Sequence, residues 1–319
     1  MSATTSSTCP PEDTAATAAT SSTPTGYRSV GVKGRNARLR QVKDWIATGV
    51  LTTAMVVAIV PLLLILIEVT RRGAGVIDWG FFTQPEPPPR REGGGYVAGF
   101  FGTAYIMVLA IAMSIPLGIA TAIYLVEYGR ENNRLAGLIR FFTDVMTGIP
   151  SIFVGLFVYG LLVVGWGQLQ FGTFVAAVAI AIMMLPIVTR SAEEMLKLVP
   201  DELRQASFAL GARKWQTIVK TVLPAAAPGL TTGSMLAIAR GAGETAPLLL
   251  TALGTHVMVT TFQGTAQGAL PLQLYHGARQ PFEAGIERAW GAALCLFALV
   301  LLLTIAARWI GSRARVTAH

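Results

Sequence analysis

The chain has 319 residues, 53% of them hydrophobic and only 13% charged, and its mean hydropathy is +0.56. A water-soluble domain carries about a quarter charged residues, so that class is excluded. A net charge of +8 would suit nucleic acid, but the basic residues are gathered in short segments between apolar runs, and no nucleic-acid partner is expected.

Residues 1–43 form a polar tail. The first 27 contain eight Thr, five Ser and five Ala, too little apolar surface to offset the entropy of ordering, so disorder is expected there. Arg28 to Lys43 is basic and reads as a membrane-surface anchor. The expected membrane domain covers residues 44–313, followed by a short tail, 314–319.

Charge-free runs extend from Trp45 to Ile67, Gly93 to Val126, Val145 to Thr189 and Ala289 to Ala307. A spanning helix needs about 20 apolar residues. The third run is about twice that length and is broken by GWGQLQFG at Gly165–Gly172, which reads as a turn between two spans. A further span ends near Ala252 and is interrupted only by Arg240 and Glu244. Six spans result, at about 45–68, 97–126, 145–164, 172–189, 229–252 and 289–310. The fold class is all-α and polytopic.

With the N-terminus placed in the cytoplasm, eighteen Lys and Arg fall on the inner side and six on the outer, with Arg240 within the membrane. Inner loops carry the excess of Lys and Arg, so both termini are expected in the cytoplasm of a multi-pass protein of the cell membrane. Gln84–Gly95, QPEPPPRREGGG, is an exposed outer connection. Cys9 and Cys295 make no disulfide framework. His256 and His276, twenty residues apart, lack metal spacing and read as solvated loop residues. No nucleophile–base pair or Cys/His cluster is evident, so no catalytic role is expected.

The loop of residues 190–224 is the most polar internal segment. Ser191 and Glu194 have the spacing of a capping box, so a helix is expected to begin there and stop before Pro200. A second runs from about Asp201 to Gly211, with Leu203, Ala206 and Leu210 on one face. A third piece, Ala212 to Val222, leads into the fifth span. Such a compact feature is either an interfacial loop or a docking element for a partner.

At this loop the chain resembles the permease subunits of ABC importers, whose signature is E-A-A, three residues, G, nine residues, then I-x-L-P. Here the positions are Gln205, Ala206, Ser207, Gly211, Thr221, Val222, Leu223 and Pro224. Spacing, glycine, central alanine and Leu-Pro are kept, while Gln205, Ser207 and Thr221 depart from the pattern. Gly102–Tyr128, GIPSIFVGLFVYG at Gly148–Gly160, Leu185–Ala212 and AIARGAGETAPLLLTA at Ala237–Ala252 are similar to PstA-type phosphate permeases.

The resemblance implies a type I importer fold and a heterodimer with a second related permease. It also implies two ATPase subunits inside and a phosphate-binding protein outside. Gln205, Ala206, Ser207, Leu210, Gly211 and Ala212 then belong to the helix that couples to the ATPase. ATP and Mg²⁺ would be held by that partner, since this chain has no G-x-x-x-x-G-K-[ST] phosphate loop and needs no cofactor of its own. Import of another oxyanion, sulfate or molybdate, is the alternative within the class. A secondary anion transporter or channel is the alternative outside it.

Arg240 and Glu244 lie four residues apart, on one helical face. Arg240 is about 11 residues into the fifth span, roughly 16 Å deep, near the midplane of a core about 30 Å thick. Gly233, Ala237, Gly241 and Thr245 form a ladder of small residues one position away, which marks a helix–helix seam. Intramembrane charges mark substrate paths, and an arginine fork suits an oxyanion. Arg240, Glu244 and Thr245 are therefore the expected path residues, with a buried packing pair as the alternative. Arg190 reads as an inner-surface anchor and Asp144 as a helix-end residue.

Overall fold

A computed structural model of the chain describes residues 36–316, apart from 89, 130–132, 166–168 and 263. The tail expected to be disordered, Arg130, the middle of the 165–172 turn and the last three residues lie outside the described set.

The chain divides into two compact units, Met1–Val60 and Pro61–His319. The described part of the first is the start of α1 (Asn36–Ala74), whose residues 41–60 are exposed throughout. In water that surface would be untenable; lipid is a solvent in which it costs nothing.

The second unit holds the remaining helices, and no strand occurs among the described residues. After the short α2 (Trp79–Thr83), capped by the Asp78 carboxylate on Phe81 N, comes α3 (Val97–Ile123), extended by a π-helical turn to Tyr128. Next are α4 (Arg134–Gly148), α5 (Ser151–Val158) with a π-helical extension to Val164, and α6 (Thr173–Lys197). Then follow α7 (Asp201–Ala209) and α8 (Lys214–Thr217), which runs through a π-helical turn into α9 (Leu223–Gly243). The chain closes with α10 (Ala246–Thr251), α11 (Leu270–Ala278) and α12 (Glu283–Val316). Five helices are long and apolar enough to cross a membrane, and a sixth crossing arises if α4 and α5 count as one broken span.

The core lies between α3, α6 and α9, where Ile106, Ala110, Ala176, Ile180, Met184, Val188 and Ala237 are buried. Small residues let the backbones approach, which is how membrane helices gain dispersion contacts without a hydrophobic drive. A Cβ on Gly118 would lie 2.7 Å from Val188 Cγ1, and one on Gly233 would fall 1.9 Å from Ser191 Oγ. The expected ladder is a seam against α6 at Gly233, Ala237 and Gly241, while Thr245 falls beyond the end of α9.

Three expectations are corrected. The 145–164 span is not one helix: it takes in the end of Arg134–Gly148 and all of Ser151–Val164, two segments bent by 111°. Ile149 is extended, as the residue before a proline must be, and Pro150 then opens α5. No helix begins at Ser191: α6 runs through it to Lys197, because Ser191 is packed on Gly233 rather than capping a backbone. The 229–252 span begins earlier, as a helix continuous from Lys214, and it ends at Gly243.

Candidate functional site

The break after Gly243 sets the site. Glu244 is extended (φ −73°, ψ 127°), and its N–H reaches back to Gly241 O at 3.3 Å. Thr245 opens α10, with Pro247 in the first turn, where its missing N–H costs nothing. The expected uninterrupted helical face is thus absent. The expected pair nevertheless forms, with Arg240 Nε 3.5 Å from Glu244 Oε1. Glu244 is 17% exposed and Arg240 62%, so the carboxylate is held in the packed wall while the guanidinium projects from it. Thr245 is half-buried beside them.

Arg240 is the charged residue on a cavity of about 400 Å³ whose other walls are Phe142, Met146, Phe153, Phe157, Met183 and Pro186, among others. The bend between α4 and α5 shapes this cavity, and an apolar wall strengthens any charge interaction inside it.

Toward the α7 end, Arg190 Nη1 lies 3.8 Å from both Asp144 Oδ1 and Glu193 Oε2. Glu193 is buried, and its Oε1 accepts from Arg140 Nε at 2.9 Å and Lys197 Nζ at 2.7 Å. Arg190 and Asp144, taken singly as an anchor and a helix-end residue, thus belong to one charged cluster. Glu193 and Arg140 were not singled out from the sequence, where only the i,i+4 spacing of Glu193 and Lys197 hinted at them.

The α7 loop is held as a rigid piece. Arg204 Nε donates to Glu127 Oε1 at 3.1 Å, Nη1 to Asp201 Oδ1 at 2.9 Å, and Nη2 to Leu196 O at 3.0 Å. Ser207 Oγ and Thr217 Oγ1 are 2.9 Å apart and join α7 to α8. Gly211 has φ +82°, a left-handed conformation that glycine takes without strain and that ends the helix. Gln205, Ala206, Leu210 and Gly211 are exposed, while Ser207 and Ala212 are half-buried. Leu210 is 89% exposed, and Leu203, Phe208 and Trp215 are exposed around it. An apolar tip on a braced polar loop is the form of a docking surface.

At the far end, His256 is not simply solvated: its Nδ1 bonds the nearly buried carboxylate of Glu86. That hydrogen bond raises the imidazole above its ordinary pKa, more than burial lowers it. His276 lines a separate cavity with His256. No cluster with metal-ligand geometry occurs among the described residues.

Comparison with known proteins supplies the context. Residues 114–316 match the binding-protein-dependent transport system inner membrane component family. A protein of Mycobacterium tuberculosis named phosphate transport system permease protein PstA 1 is 40% identical over 283 residues, covering 86% of this chain and 92% of its own. A Yersinia pestis protein named phosphate transport system permease protein PstA is 38% identical over 276 residues, with coverages of 86% and 92%. Among solved structures, a bacterial ABC transporter involved in import of the acidic polysaccharide alginate matches with TM-score 0.61 and 16% identity, over 86% of this chain and 99% of its own. The inward-facing MetNI methionine ABC transporter matches with TM-score 0.57 and 21% identity, over 69% and 95%. At such identities the likeness concerns the fold.

Proposed function

The chain belongs to the binding-protein-dependent transport system inner membrane components, and from this we infer that it is the membrane-spanning permease subunit of an ATP-driven importer of inorganic phosphate. The observation that carries the reading is the identity of about two residues in five to PstA permeases over nearly their whole length.

The geometry fits that work. Arg240 offers a planar fork of donors to a tetrahedral oxyanion. Phosphate near neutral pH keeps at least one P–OH, for which Glu244 is an acceptor, whereas sulfate brings no such proton. In the empty path Glu244 holds Arg240. A lone charge at the bilayer centre costs roughly 2.5–3.5 kcal/mol on insertion scales, and the pair reduces that cost until the anion arrives.

A second, related permease covers the exposed face of α4 and α5 and completes the path. The braced α7 tip seats in an ATPase subunit, which binds ATP and Mg²⁺. The far end, with the 84–95 loop, faces an extracytoplasmic phosphate-binding protein, and both termini lie in the cytoplasm. Coupled movement at α7 then exposes Arg240 to the two sides in turn.

The test is radiolabelled phosphate uptake by cells lacking the native permease, with this chain and its cognate partners restored. Arg240→Gln at matched membrane levels is expected to lower uptake about ten- to a hundredfold, the worth of one charge-assisted contact. Normal uptake makes the pair structural. Competition by sulfate or molybdate as strong as that by phosphate transfers the assignment to those oxyanions.

A further inference from the structure

Arg288, in the second turn of α12, is 1% exposed and is the largest fully buried side chain. Its Nη1 donates to the carbonyls of Arg91 and Gly93, the latter at 3.2 Å. Its Nε and Nη2 have no hydrogen-bond partner, and no carboxylate pairs with it among the described residues.

The hydroxyl of Tyr96 lies beside the same guanidinium, is itself buried, and makes no hydrogen bond of ordinary geometry. Burial holds this tyrosine well above its usual pKa, so it keeps its proton and remains a donor. Glu86, whose charge reaches Tyr96, is already engaged by His256.

Two unpaired guanidinium donors and a buried phenol hydroxyl thus lie together, with no carboxylate paired to the guanidinium among the described residues. Water satisfies donors but not charge, and a buried cation with no carboxylate in contact is costly. The unpaired atoms are not scattered around the guanidinium: they form one edge of it, the arrangement that takes an anion in two parallel hydrogen bonds. We propose that the Nε–Nη2 edge of Arg288 and the Tyr96 hydroxyl form a binding site for a small inorganic anion beneath the 84–95 loop.

The site is separate from Arg240. It sits among α3, α12 and the loop whose carbonyls Arg288 already holds, so its occupant pins that loop to the first turns of α12. It stands whether or not phosphate is the transported ion.

The test uses the assembled transporter in detergent, with gluconate replaced by bromide or by inorganic phosphate at constant ionic strength. A saturable rise in unfolding midpoint is expected with at least one of them; bromide alone marks a halide site and phosphate an oxyanion site. Tyr96→Phe is expected to raise the apparent dissociation constant about tenfold, one hydrogen bond to a charged group. No saturable rise, or one unchanged in Tyr96→Phe, overturns the proposal. Arg288→Lys is expected to abolish the rise. If that variant does not assemble, anomalous scattering from bromide-grown crystals decides where bromide raised the midpoint. A peak between Arg288 and Tyr96 then supports the site and density without anomalous signal there overturns it; where phosphate alone raised the midpoint, crystals grown in phosphate decide, tetrahedral density there supporting the site and its absence overturning it.

Discussion

Glu244 is the residue whose role is most sharply divided between chemistry and packing. It is 17% exposed, and among the described residues its one charged partner is Arg240. Glu244→Gln keeps the shape and removes the negative charge, so Arg240 loses its counter-charge and a P–OH group meets an amide instead of a carboxylate. Uptake is expected to fall about tenfold while the assembled complex persists; normal phosphate uptake by that variant ends the proposed role. His256 gives a prediction outside the membrane. Its hydrogen bond to Glu86 raises its folded pKa above the ordinary value of about 6.5. The stability from this pair is therefore complete below about pH 6.5 and is lost as pH rises through the folded value. Thermal unfolding of the assembled transporter from pH 5.5 to 8.5 is expected to show that loss, and His256→Gln is expected to flatten it.

At the scale of elements, the α7 loop separates bracing from contact. Arg204, Ser207 and the Glu127 carboxylate hold it in place, while Leu210 stands out at 89% exposure. Leu210→Asp touches no internal contact, so its effect on stability is expected within about 0.5 kcal/mol. Co-purification of the ATPase is expected to fall severalfold, and an unchanged yield of ATPase removes Leu210 from the interface. This loop was legible in sequence because Pro200, Gly211 and Leu223-Pro224 punctuate it locally. The small-residue ladder was legible for the same reason as far as Gly241, since that part of the period of four lies within one helix, whereas Thr245 falls past its end. The bend at Ile149–Pro150 was not: hydropathy sums over a window and is blind to direction, and only the proline marked it. The cluster of Glu193, Arg140, Arg190 and Asp144 was also hidden, because it joins α4 to α6 across some fifty residues of chain. Ser191 misled for a related reason: its partner is Gly233 on α9, and no local pattern distinguishes that from a cap.

For the whole molecule, sidedness is the property to test. Single cysteines at 210 and 256, in a chain with Cys9 and Cys295 changed to Ser, are expected to react with an impermeant maleimide from opposite faces. The first should require opened cells and the second intact ones; labelling of both from one face overturns the arrangement. That arrangement bears on how motion is passed on. Lys214 to Gly243 is one helical run of 30 residues, beginning in the loop that carries Leu210 and ending one residue short of Glu244. Arg240 is roughly 39 Å along it from Lys214 at 1.5 Å per residue. A rod of that length pivoting at its α7 end by about 5° sweeps its tip through some 3 Å, about one hydrogen-bond length. In the proposed assembly, gearing of this kind would let a slight adjustment at the ATPase make or break the grip on an ion far away, with no relay of intermediate contacts.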